Sequence, residues 1–294
     1  MKDFVDVAIM QFKPRPLDLD GNLHAMATAV RAEAARHPTD LAVFPELATT
    51  GYVPPAYNDD FRRRLTIAAD TIPGRTTVAL GHVARETGTH IAVGLAERGP
   101  HDELFNTLLL IGPEGEIIGA HRKVHLWDQE SNYFHTGDRF DVLDSGLGRI
   151  GLSVCHDSRF PEATRQQVVA GAEILICVFA YASDPGVPPD ILTHRTVTRA
   201  WENSSYYVLA NRLGSEYGAT FVGRSVIAGP TGQVLTATHG ERDPVVRARL
   251  HHQPLADSRL VVNVARERRP DVYGNLTPPA LAKTTPSSPK PEAH

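Results

Sequence analysis

Only two cysteines, Cys155 and Cys177, occur in 294 residues. So sparse a set excludes a disulfide framework, and each thiol has to be judged alone. An excess of one charge is missing too: 30 Lys and Arg stand against 34 Asp and Glu, a net −4. That is too mild to point to nucleic acid or an anionic membrane as partner. The longest apolar run, Ile174 to Ala182, is far too short to cross a bilayer. The opening Met1-Lys2-Asp3-Phe4-Val5-Asp6 puts acids where a signal peptide needs an apolar segment. These absences lead to the expectation of a soluble, cytoplasmic protein. The chain also lacks H-E-x-x-H, a Cys/His cluster with zinc spacing, G-x-S-x-G and a glycine-rich phosphate loop. His121 and His125 are four apart but not in a clear helix.

What is present is an alternation of strands and helices. Strand-like runs cover Val5 to Phe12, Asp40 to Glu46, Ile91 to Leu95, Arg149 to Val154, Glu173 to Ala180, Tyr206 to Asn211 and Arg259 to Ala265. Helical patterns cover Asn22 to His37, Thr76 to Thr87 before Gly88, Pro161 up to Gly171, and Asp190 to Asn203. Two turn signals, Gly112-Pro113-Glu114-Gly115 and Gly229-Pro230-Thr231-Gly232, each sit between apolar runs and predict hairpins. Their recurrence suggests two similar halves, each supplying one sheet. Helices on the outer faces of two stacked sheets would bury the apolar positions. From about Thr277 the sequence is rich in Pro, Ser and Lys and cannot build a core. Residues 277–294 are expected to be a disordered tail behind a single domain of residues 1–276.

Three positions carry candidate chemistry. Cys155 falls where an apolar strand gives way to a polar turn and then a helix, a geometry that exposes a nucleophile. A helix N-terminus and a cationic neighbour would favour its thiolate. Glu46 ends a buried-type strand after Pro45, where desolvation raises a carboxyl and suits it to take a thiol proton. Lys123 follows another strand, and its ammonium can stabilise an oxyanion. Each has a bland counterpart: a structural cysteine, a capping or surface acid, a solvated basic patch. Cys177, flanked by Ile176 and Val178, reads as core.

Together these segments resemble a family. Phe44-Pro-Glu46-Leu-Ala-Thr-Thr-Gly-Tyr52, His121-Arg-Lys123-Val-His-Leu126 and Gly151-Leu-Ser-Val-Cys155-His-Asp-Ser-Arg-Phe-Pro-Glu162 are similar, in order, to the three signature segments of the nitrilase superfamily of carbon–nitrogen hydrolases. Asn106, Arg199 to Asn203, Ala210-Asn-Arg212, Phe221 to Gly232 and Arg269 to Gly274 extend the resemblance over residues 4 to about 276. It implies an α+β fold, a four-layer αββα sandwich usually paired into homodimers, with the helices starting at Pro161 and Asp190 in the interface. It implies a Glu46–Lys123–Cys155 triad and a fourth functional acid at Glu130, with no metal or organic cofactor. His156, Arg159, Tyr52, Phe134 and Tyr181 are the expected substrate-binding side chains, and the partner a small molecule.

The substrate class is less sharply marked. Nitrilases proper resemble Cys-Trp-Glu after the nucleophile, whereas this chain has Cys155-His156-Asp157. Carbamoyl-amino-acid hydrolases usually place two arginines soon after the cysteine to clamp a carboxylate. Here Ser158 stands at the first place and only Arg159 remains. The expected order is a small amide, then an N-carbamoyl compound, then a nitrile.

Overall fold

The computed structural model describes residues 1–184, 186–238 and 244–276. The first half of the chain runs β1 (Phe4–Met10), α1 (Leu19–Ala34), β2 (Leu41–Val43), α2 (Asp59–Ala68), α3 (Arg75–Thr87), β3 (His90–Arg98), β4 (Leu104–Ile111) and β5 (Ile117–Arg122). The second runs β6 (Val142–Asp144), β7 (Arg149–Val154), α4 (Pro161–Val169), β8 (Ile174–Phe179), α5 (Ile191–Trp201), β9 (Tyr206–Asn211), β10 (Leu213–Glu216), β11 (Ala219–Val222), β12 (Val226–Ala228) and β13 (Val234–Ala237). The described chain closes with β14 (Val245–His251), α6 (His252–Val261) and α7 (Val264–Glu267).

Two six-stranded sheets form, ordered β14-β1-β2-β3-β4-β5 and β13-β12-β9-β8-β7-β6. Their pairings match strand for strand. Each has three parallel neighbours, β1-β2-β3 and β7-β8-β9. Each continues into an antiparallel hairpin, β4-β5 and β12-β13, built on the two Gly-Pro turns. Each is closed on its other side by an antiparallel strand, β14 or β6. The two similar halves expected from the sequence correspond to two equivalent sheets, except that β14 of the first sheet comes from the end of the chain, after the second sheet's strands.

Period-two alternation stacks them. In β1, Val5, Val7 and Ile9 join Leu41, Val43, Leu108 and Leu110 in one cluster with Ile150, Leu152, Val154, Ile176 and Val178 of the other sheet. The alternate residues Ala8 and Met10 face Leu23, Met26 and Val30 of α1 and Leu80 and Val83 of α3. On the far side, Leu175, Cys177 and Phe179 of β8 meet Val168 of α4 and Leu192 and Ala200 of α5. The architecture is an αββα sandwich. Buried on both faces, β8 reads as an unbroken apolar run, as parallel strands do.

One element departs from expectation. Residues 259–265, read as the last strand, span the end of α6, the turn 262–263 and the start of α7, with Leu260 and Val261 more than four-fifths exposed. The place beside β1 is taken by β14. That strand carries a plain signal. Val246 and Leu250 turn inward, while Arg247 and Arg249 turn out to pair with Glu33 and Asp6. Residues 277–294, read as a tail, lie outside the described residues.

Candidate active site

The site straddles the two sheets. Glu46 follows β2 of the first sheet through Phe44-Pro45. On neighbouring β3, Gly94 lets this backbone pass: a Cβ there would come within 2.4 Å of the Pro45 carbonyl and 2.7 Å of the Glu46 Cα. Lys123 is the first residue beyond β5, its N–H donating to the Asn106 carbonyl at 2.8 Å. Glu130 lies in a 3₁₀ turn, Asp128–Asn132. From the second sheet comes Cys155, which follows β7 and opens the 3₁₀ turn Cys155–Arg159. Cys155 has φ +44°, a left-handed conformation that a non-glycine residue adopts only when its surroundings impose it.

Glu46, Lys123 and Glu130 are fully buried and bonded to one another. The Lys123 Nζ donates to Glu46 Oε1 at 2.7 Å and to Glu130 Oε1 at 2.8 Å. Glu46 Oε1 also accepts from Asn106 Nδ2 at 2.7 Å, and Oε2 accepts from the Ala180 N–H, at the end of β8, at 2.7 Å. Glu130 Oε1 accepts from the Tyr52 hydroxyl at 2.7 Å, and Oε2 from the Trp127 N–H at 2.9 Å. Every carboxylate oxygen is satisfied, as burial of two charges requires.

The charges decide the protonation states. Burial pushes the Glu46 carboxyl up, and Glu130 adds to this against the pull of Lys123. Burial alone would lower the Lys123 ammonium, but Glu130 and Glu46 outweigh it and hold it well above the usual range. Burial pushes the Cys155 thiol well up, Glu46 pushes it further, and Lys123 opposes them only in part. This reverses the thiolate expected from sequence. Two carboxylates around one ammonium leave the pocket net negative, so a thiolate would add a second uncompensated charge. The surroundings favour the protonated thiol over the thiolate.

The expected binding residues separate into groups. Tyr52 is tied to Glu130. His156 is half-buried, its ring 4.8 Å from Trp127 and 5.4 Å from Phe160, and burial together with Lys123 lowers its basicity. Arg159 is exposed and lies within electrostatic reach of His156 and of Tyr181, which Cys155 also influences. Phe134 is buried in an apolar cluster with Leu47, Phe61 and Tyr133, and its N–H donates to the Glu130 carbonyl. Ser158 is buried too. Its hydroxyl donates to the Cys155 carbonyl at 2.6 Å and accepts from Arg195 Nη1 at 3.2 Å, while Arg199 donates to its carbonyl. The place read as a missing clamp arginine faces the protein interior.

Sequence reasoning missed Ala180 and the buried Asp157, which binds His121 and His125. The signal for the latter was the pair of histidines two residues either side of Lys123. A cavity of about 150 Å³ lies beside Glu130, lined by Tyr52, Trp127, Glu216, Tyr217 and Phe221. Glu216 pairs with the buried Arg212 and accepts from the Tyr52 N–H. Among the described residues no group of three His, Cys, Asp or Glu could hold a metal, and no helix is long and apolar enough to cross a membrane.

The candidate site is thus a lysine held between two glutamates, within electrostatic reach of a cysteine in a left-handed conformation at a strand end. The sequence model of the family described as carbon-nitrogen hydrolase matches residues 6–254, and the chain belongs to that family. It is 35% identical to a protein named nitrilase from Pyrococcus abyssi, over 92% of this chain and 99% of the relative. It is 32% identical to an N-carbamoylputrescine amidase of Solanum lycopersicum, over 92% and 93%. Among solved structures it resembles an amidase from Nesterenkonia sp. AN1, with TM-score 0.75 and 28% identity over 93% of this chain and 97% of that one. In that structure the acetamide moiety of fluoroacetamide is covalently added at the active-site cysteine.

Proposed function

We propose that the protein hydrolyses a small amide to a carboxylate and ammonia through a thioester on Cys155. The observation that carries this reading is the Lys123 ammonium, fixed between Glu46 and Glu130 beside the Cys155 elbow. Glu46 takes the thiol proton as the sulfur attacks the amide carbon. The carbonyl oxygen becomes an oxyanion held by Lys123 and a backbone N–H, that of His156. Collapse breaks the C–N bond, and Glu46 returns the proton to the departing ammonia. Glu46 then takes a proton from water, whose oxygen attacks the thioester, and the thiol leaves reprotonated. Glu130 holds Lys123 and orients the substrate NH₂. The chemistry uses the chain's own residues, and the binding residues are Tyr52, His156, Arg159 and Tyr181. The amidase neighbour supports an amide.

An N-carbamoyl compound is the second reading, supported by the carbamoylputrescine relative and by an Arg159 guanidinium free to meet an anion. A nitrile is third. Ammonia release from a panel of amides, N-carbamoyl compounds and nitriles separates the three, with Cys155→Ala as blank. Cys155→Ala is expected to fold and to lose turnover. Normal activity in that variant would sink the mechanism.

We also propose a homodimer. Val169, Val272 and Leu276 are exposed beside a groove along α4 and the C-terminal segment, apolar surface that a second subunit would cover. A light-scattering mass near the 32.1 kDa of one chain at micromolar concentration would count against it.

A further inference from the structure

We infer that Asp157 is a positioning residue, which fixes the Cys155 elbow of one sheet against the strand end of the other sheet that carries Lys123. This rests on reading Cys155 as the nucleophile and Lys123 as its oxyanion cation.

The reacting groups belong to different sheets, so their separation is set by contacts between sheets. His121 and Lys123 are two apart at the end of β5, where such residues turn the same way, and His125 follows in a bend that carries it to the same carboxylate as His121. Arg122 between them is exposed, while His121 and Lys123 are buried. Lys123 reaches the two glutamates. The histidines reach Asp157, two residues after Cys155. Asp157 Oδ2 accepts from His121 Nε2 at 2.9 Å, and Oδ1 accepts from His125 Nδ1 at 2.8 Å and from the His125 N–H at 2.9 Å. Oδ2 also accepts from the N–H of Val154, the last residue of β7, at 3.1 Å.

One fully buried carboxylate thus joins the last residue before Cys155 to residues on both sides of Lys123. The histidine rings are themselves fixed: His125 stacks on Phe160 at 3.7 Å and His121 on Phe140 at 4.9 Å. The other bonds of the elbow, those of Ser158 with Arg195 and Arg199, run to α5 and leave the Lys123 strand untouched. The Ala180 N–H ties Glu46 across the sheets but does not hold the elbow. Four donors saturate the Asp157 carboxylate, so it acts on the site through Cys155 and touches no substrate. A sulfur misplaced by a fraction of an ångström loses its approach to the carbon whose oxygen Lys123 holds.

The test compares wild type, Asp157→Asn, His125→Ala, His125→Asn and Cys155→Ala, all full length, on the best amide of the panel. Asn at 157 keeps the volume but turns one acceptor oxygen into an NH₂ facing N–H donors. The expected result is a kcat lower by about 10- to 100-fold with KM within about threefold, because the binding residues stay in place. His125→Asn can still offer an N–H where Nδ1–H stood and should keep a higher kcat than His125→Ala. A folded Asp157→Asn with wild-type kcat, or one whose loss is all in KM, overturns the inference. Should Asp157→Asn fail to fold, the His125 pair decides: equal kcat in the two overturns the inference, and a higher kcat in His125→Asn supports it. Turnover by Cys155→Ala strikes the underlying mechanism instead, so the two failures are distinguishable.

Discussion

Tyr52 and Lys123 donate to the same oxygen, Glu130 Oε1, at 2.7 and 2.8 Å. The oxygen accepts both, and the phenol thereby helps fix the carboxylate on which the ammonium rests. Tyr52 is held in turn from behind, its backbone N–H bonded to Glu216, which pairs with Arg212. Tyr52→Phe should lower kcat/KM by about tenfold, the value of one hydrogen bond to a charged group. Glu130→Gln, which also removes a charge from Lys123, should cost more than Tyr52→Phe. Steady-state ammonia release measures both; the reverse order would show that Glu130 is not what positions Lys123.

The raised Glu46 carboxyl fixes the acid limb of the pH profile. Glu46 works as a base only when ionised, so activity falls as pH drops through its pKa. Because burial raises that pKa in the free enzyme, kcat/KM should begin to fall above the ordinary glutamate value of about 4.3. A plateau reaching down to that value would contradict the buried position of Glu46.

Cys155 should resist simple alkylation. Burial and Glu46 push its thiol up, so little thiolate exists at neutral pH. Iodoacetamide labelling followed by mass spectrometry should be slow at pH 7 and accelerate as pH rises. Cys177 is fully buried, its thiol pushed up to about 12, and should label more slowly still. Fast labelling of Cys155 at pH 6 would mean that the pocket favours thiolate after all.

Ser158→Arg should damage the elbow and add no carboxylate clamp. The residue is 1% exposed and its hydroxyl bonds the Cys155 carbonyl. An arginine there would be overpacked and set against Arg195 and Arg199, at a cost of at least about 2–3 kcal/mol. A lower Tm with no gain on N-carbamoyl amino acids is the expected outcome. An unchanged Tm with improved kcat/KM on those substrates would show that the position faces the pocket.

Local pattern determined much of this protein. The apolar runs, the two Gly-Pro turns and the Gly88 stop reflect backbone chemistry that acts within a few residues, and the structure follows them. The resemblance named Glu46, Lys123 and Cys155; the fold brings the first two into contact, and Cys155 lies within electrostatic reach of both. Other features depended on which segments meet. Residues 259–265 look like a strand, yet they fall in two helices and the turn between them, and β14 pairs with β1 instead. Phe134 lies four residues after Glu130 and Ser158 directly before Arg159, and both are buried in the fold. Asp157 meets His121 and His125 only because two sheets stack face to face. The protonation of Cys155 is likewise a tertiary property: a thiol's charge depends on every buried charge around it, and Glu46 and Glu130 are far from it in sequence.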